Sequence, residues 1–141
     1  MNHPLVYPVF VTRDGSDFVL ECRDIPEAVF SGDTEEEAWA EAVNIIALAL
    51  LSYPRMNSPF PVPSPPKLGE RMIAIPATET AKLLIHKSMA TGRMNTEDLA
   101  LLIDTDHKSV RRILSLAHNT RMDQLEQVLA ALNVRVVLMA A

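Results

Sequence analysis

Apolar and polar positions follow a period of two early in the chain and a helical period later, which predicts strands first and helices after. "LVYPVFVT" at 5–12 is rich in β-branched and aromatic residues and meets the turn cluster "RDGSD", where Gly15 supplies positive φ. "FVLECR" at 18–23 then alternates Phe18, Leu20 and Cys22 against Val19, Glu21 and Arg23, a hairpin pattern. "EAVFSG" at 27–32 predicts a third short strand, and Pro8 predicts that the first strand lies at an edge or starts late. Three antiparallel strands leave one apolar face to be covered. Thr34 with Glu37 forms a capping box, and Ala38, Ala42, Ile45, Ile46, Ala49 and Tyr53 recur at helical spacing, so a helix over 34–52 provides the cover before Pro54 closes it.

Six prolines between 54 and 66 exclude helix or central strand and predict a stiff extended linker over 54–68. The expected domains are therefore 1–68 and 69–141. After the linker, "RMIAI" at 71–75 reads as a strand. Thr78 caps a helix to about Ala90 with Ala81, Leu84, Ile85 and Met89 as its stripe, and Asn95 or Thr96 opens the next helix, through Ile103. Further helices are predicted over 107–117 and 121–133, and "VRVVLMA" at 134–140 returns to strand composition. The predicted fold class is α+β: a βββα unit followed by an all-α domain with flanking short strands.

Within 96–114, Leu99, Ala100, Ile103, Val110 and Ile113 fall where two helices joined by a three-residue turn bury side chains against each other, and Ala100 is small enough for a close crossing. The pattern resembles the helix-turn-helix of phage-repressor-like regulators, with Asp104 where the turn usually holds glycine. That resemblance implies that the helix beginning near Asp106 enters the major groove. Lys108, Arg111 and Arg112 would reach guanine edges or phosphates, with His107 and Ser109 as polar contacts near its start. Thr96, Asn119, Thr120 and Arg121 lie at helix ends, where phosphates are held. Paired half-sites imply a homodimer or a higher oligomer, and strands 71–75 and 134–139 are expected to pair across protomers.

Charge sharpens the division. The chain of 141 residues carries net charge −5, but residues 1–70 hold four basic and eleven acidic groups, net −7, whereas 71–141 hold nine and seven, net +2. Exposed charges are screened over about 8 Å at physiological salt, so the acidic half does not dictate what the other half binds. No apolar run approaches the roughly 20 residues of a membrane span. No secretory signal is read at the N-terminus, and the lone Cys22 permits no internal disulfide, so a cytoplasmic protein is expected. His3, His86, His107 and His118 show no zinc spacing, and neither metal nor cofactor is predicted. Asp14, Asp17, Glu21 and Asp24 are the only carboxylates near strands for a metal-dependent nuclease and do not converge, so an enzyme is not expected. Trp39 covers an edge of the N-terminal core or, if exposed, marks a partner interface.

The N-terminal half carries a second resemblance, in Tyr7-Pro8, Gly15, Phe18, Asp24-Ile25-Pro26, Gly32-Asp33-Thr34, Glu37-Ala38 and Pro61 through Pro65. In that order these residues resemble the HicB antitoxin family, with Glu27 where the family often has glycine. The resemblance implies a partial ribonuclease-H-like unit that binds and occludes a small basic RNA-cleaving HicA-type toxin, followed by a helix-turn-helix domain that binds operator DNA and autoregulates transcription. The implied toxin contacts are Asp24, Glu27, Asp33, Glu35 and Glu36, and a net charge of −7 suits a basic partner. The competing expectation is a stand-alone transcription regulator with an N-terminal ligand-sensing domain.

Overall fold

The computed structural model describes residues 3–140, and the chain divides into two compact units, Met1–Pro76 and Ala77–Ala141. In the first, β1 (Val6–Asp14) and β2 (Asp17–Cys22) form the predicted hairpin, turning through Gly15 at φ +64°, and β3 (Val29–Gly32) follows. α1 (Glu35–Leu50) starts at the predicted cap, where Thr34 Oγ1 accepts from the Glu37 amide at 3.1 Å. The Glu37 carboxylate reaches back to the Asp33 amide at 3.0 Å. α1 packs on the sheet with Ala38, Ala42, Ile46, Ala47 and Leu50 buried, opposite buried Tyr7, Val9, Leu20 and Cys22. Its three buried alanines let the helix lie close to the strands. The chain then continues into a one-turn helix, α2 (Ser52–Arg55), which accommodates Pro54 because a first turn needs no amide there.

The next strand departs from the sequence reading. β4 (Arg71–Ala74) pairs antiparallel with β1, Tyr7 opposite Ile73 and Val9 opposite Arg71, giving the order β3-β2-β1-β4. The proline-rich stretch is not a free spacer. Phe60 is buried, the Tyr7 hydroxyl donates to the Pro61 carbonyl at 2.7 Å, and the Ser64 amide and hydroxyl donate to Asp24 at 2.8 and 2.6 Å. Arg23 Nε donates to Glu70 Oε2 at 3.0 Å. These bonds lead the chain back along the sheet, so the division falls after Pro76, not at 68, and 71–75 pairs with β1 of its own unit. An unpaired strand edge is a strong template, and β1 had one to offer. With Arg71 moved across, the first unit holds five basic and eleven acidic residues, net −6, and the second eight and seven, net +1.

Pro8 therefore sits in an interior strand. The Ile75 amide donates to the Leu5 carbonyl at 3.0 Å, so by the antiparallel alternation Pro8 turns its nitrogen away from β4. On its other side the pairing with β2 begins only at Val9, opposite Cys22. The missing amide faces a place where the neighbouring strand has already left.

The second unit contains α3 (Ala77–Thr91), α4 (Thr96–Leu102), α5 (His107–Leu114) and α6 (Met122–Ala131). Its core joins Ala81, Ile85, Met89, Leu99, Ala100, Val110, Ile113, Leu125, Val128 and Leu129, with Ile103 partly buried against it. Asn95, not Thr96, caps α4, in a reciprocal box with Asp98. α5 ends three residues before the expected 117. Residues 134–140 form no strand: Val134 and Val136 pack on the core, while Val137, Leu138 and Met139 are exposed. The expected flanking strands are thus absent from this unit among the described residues, since one went to β1 and the other has no edge to pair with. Among the described residues no helix is long and apolar enough to cross a membrane.

Candidate nucleic-acid interface and acidic surface

The α4–α5 junction is built around one left-handed residue. Asp104 has φ +54°, its amide donates to the Leu101 carbonyl at 3.4 Å, and the Thr105 amide donates to the Ala100 carbonyl at 2.9 Å. This is the Schellman arrangement that ends a helix, with aspartate in the position glycine favours. Asp106 then caps α5 by accepting from the Ser109 amide at 2.7 Å. That bond, helped by Arg112 and Lys108 nearby, holds the exposed Asp106 carboxyl below its ordinary value. Val110 and Ile113 turn inward, leaving His107, Lys108, Arg111 and Arg112 exposed on one short helix.

The other residues singled out for DNA differ in access. Ser109 and Thr96 are half-buried, and Asn119 is exposed. Arg121 is exposed and paired with Asp123 at 3.0 Å. Thr120 is 5% exposed, its hydroxyl 3.2 Å from His118 Nδ1, which places it in the support of the turn rather than on its surface. Sequence reasoning missed Lys82, which is only 1% exposed on α3. The signal was its position, three residues before Ile85 and seven before Met89 on the buried stripe.

In the first unit the five acidic residues singled out for the toxin separate into two groups. Asp24 holds Ser64, and Glu27 accepts from the Tyr53 hydroxyl at 2.8 Å, whose pKa burial and that carboxylate push up to about 12. Asp33, Glu35 and Glu36 remain exposed at the start of α1. There Glu35 accepts from Trp39 Nε1 at 3.3 Å, and the Arg71 guanidinium lies 4.2 Å from the centre of the Trp39 ring. Phe18, Thr34, Glu35, Glu36, Trp39, Ala40 and Arg71 line a surface hollow. Trp39 is half-buried, so it both covers the core edge and presents part of its ring to the hollow. Cys22 is buried in the sheet, and burial pushes its thiol pKa up. Among the described residues no three His, Cys, Asp or Glu side chains gather as metal ligands would. Asp14 and Asp17 face each other across the hairpin turn, while Asp24 is occupied by Ser64.

Comparison with known proteins places the chain in a family. A family profile described as "HicB_like antitoxin of bacterial toxin-antitoxin system" matches residues 6–84. Antitoxin HicB 2 of Photorhabdus laumondii is 34% identical over 140 residues, covering 99% of each chain. Antitoxin HicB 1 of the same organism is 30% identical over 128 residues, covering 89% of this chain and 81% of its own. Antitoxin HicB of Escherichia coli is 28% identical over 127 residues, 89% of this chain and 92% of its own. Matched by the profile over more than half its length and by a relative from end to end, the chain belongs to the HicB-like antitoxin family of bacterial toxin–antitoxin systems.

Proposed function

We propose that this antitoxin divides two tasks between its units: the N-terminal unit binds and occludes a HicA-type toxin, and the C-terminal unit binds operator DNA to autoregulate transcription. In this reading the sheet with α1 is the partial ribonuclease-H-like unit, and α3–α6 form a phage-repressor-like helix-turn-helix domain. The protein acts by binding, without catalysis of its own.

The observation that carries the DNA reading is the α4–α5 pair. A left-handed turn at Asp104 and a shared core hold α5 so that Lys108, Arg111 and Arg112 all stand exposed beside His107. Arginine and lysine in a major groove pair with guanine edges or phosphates, while Asn119 and Arg121 near the start of α6 suit phosphate contacts. The acidic residues Asp106 and Asp123 restrain these charges, which favours positioned contacts over general attraction to DNA. Two copies would meet two half-sites, and the exposed Val137, Leu138 and Met139 offer an apolar surface for homodimer contact.

For the toxin, the first unit's net charge of −6 supports attraction of a basic partner. Asp33, Glu35 and Glu36 around Trp39 are the exposed contacts in this reading. Asp24 and Glu27, already engaged with Ser64 and Tyr53, contribute to the field.

The test uses the protein co-expressed with its genomic neighbour. Lys108→Ala and Arg111→Ala are expected to weaken binding to the duplex upstream of the reading frame by about 1–3 kcal/mol each. Co-purification of the toxin and growth rescue should be unchanged. Equal loss of both activities would refute the division of labour.

A further inference from the structure

The residue that sequence reasoning missed supplies the inference. Lys82 is 1% exposed, and a buried ammonium is costly unless its donors are met. All three are met by backbone oxygens: the carbonyls of Arg112 at 3.1 Å, Ser115 at 2.6 Å and His118 at 2.6 Å. One helical turn further along α3, His86 Nε2 lies 2.8 Å from the Leu114 carbonyl. Four carbonyls between 112 and 118 are therefore held by two side chains of one helix.

The location gives these bonds their meaning. The last carbonyls of a helix lack partners of their own and carry its partial negative charge, so a cation there is stabilising. Here the cation also spans the end of α5 and the turn after it. Arg112 belongs to α5, Ser115 is its cap, and His118 precedes Asn119, Thr120 and Arg121 at the start of α6. Without the ammonium, the carbonyls of Arg112 and His118 would lose this donor and that of Ser115 would be left with the His118 amide at 3.2 Å, which frees the 115–118 turn to shift. The opposite end of α5 is held by the Asp104 turn and the Asp106 cap. The tilt of the basic helix is thus set from both ends, with Lys82 holding the carboxyl one.

We propose that Lys82 is a positioning residue for DNA binding: from inside the core it fixes the end of α5 and the following turn, aligning the basic helix with the polar residues that begin α6. The inference rests on the DNA-binding reading given above. Lys82 is too deeply buried, at 1% exposed, to touch DNA itself.

The test compares Lys82→Met, Lys82→Arg and Lys108→Ala in the full chain, on the duplex immediately upstream of its reading frame. Measurements are made well below each variant's melting transition, with circular dichroism confirming the folded state. Folded Lys82→Met is expected to bind about tenfold more weakly, the scale of one lost base or phosphate contact. Lys82→Arg, which keeps the charge and several donors, should recover most of that loss, and toxin co-purification should not change. A lysine that merely stabilised the fold would lower the melting temperature and leave the folded protein's affinity intact. That outcome, with Lys108→Ala still weakened, overturns the role of Lys82 alone. If Lys108→Ala also binds like wild type, the DNA reading itself fails. Should Lys82→Met not fold, amide hydrogen exchange on the wild-type protein decides: the duplex should slow exchange across 115–121, and unchanged exchange there overturns the inference.

Discussion

Asp104 shows how one residue can be placed by sequence and still leave its consequence to be worked out. The pattern of Leu99, Ala100, Val110 and Ile113 locates the turn, and the aspartate in the usual glycine position does take φ +54°. Aspartate tolerates that region better than most side chains, but it is still strained relative to glycine. Asp104→Gly is therefore expected to raise stability by about 0.5–1 kcal/mol, read from the urea unfolding midpoint. An unchanged or lowered midpoint would mean that the aspartate makes a compensating interaction. Lys82 was not legible in the same way. A lysine on an apolar stripe signals burial, but its partners are carbonyls thirty or more positions away, and carbonyls carry no sequence signature.

At the scale of elements, sequence reading succeeded where the determinants are local and failed where an element needed a partner. The Gly15 hairpin, the Thr34 cap of α1 and the α4–α5 pair depend on residues within a few positions of each other. Strands 71–75 and 134–140 look alike in composition, yet only the first becomes a strand, because β1 has a free edge and the second unit has none. Among helices, α5 is short and depends on its cap, and this makes it sensitive to acid. The Asp106 carboxyl titrates below its ordinary value of 3.8 when folded, chiefly because it accepts from the Ser109 amide. The stability it contributes is fully present above that ordinary value and is lost as pH falls through the lower folded pKa. Asp106→Asn keeps a capping oxygen without a titrating group. The stability gap between wild type and Asp106→Asn should thus shift against wild type as pH drops below about 4, with thermal melts across that range as the measurement. A gap constant with pH would show that the carboxylate has no charged role at the cap.

For the whole molecule, the consequential change is where the first unit ends. Reading the prolines as a spacer put the division at 68, because composition reports stiffness and cannot report that Tyr7, Asp24 and Arg23 bind the stretch to the sheet and its return strand. The structure makes the proline segment and β4 part of the first unit, with Ile75 7% exposed and the Arg23–Glu70 pair closing the loop. Two fragments separate these alternatives. A fragment of residues 1–76 keeps all four strands, whereas one of residues 1–68 exposes the β4 side of β1 and loses the burial of Ile73 and Ile75. That burial contributes about 2–4 kcal/mol, a large share of the roughly 5–15 kcal/mol that holds a domain folded. The 1–76 fragment is expected to unfold cooperatively in urea and retain toxin binding. The 1–68 fragment should be marginal or unfolded, and prone to pair through its open strand edge. Equal midpoints for the two would return the boundary to 68 and make β4 an accessory to the sheet rather than part of what folds.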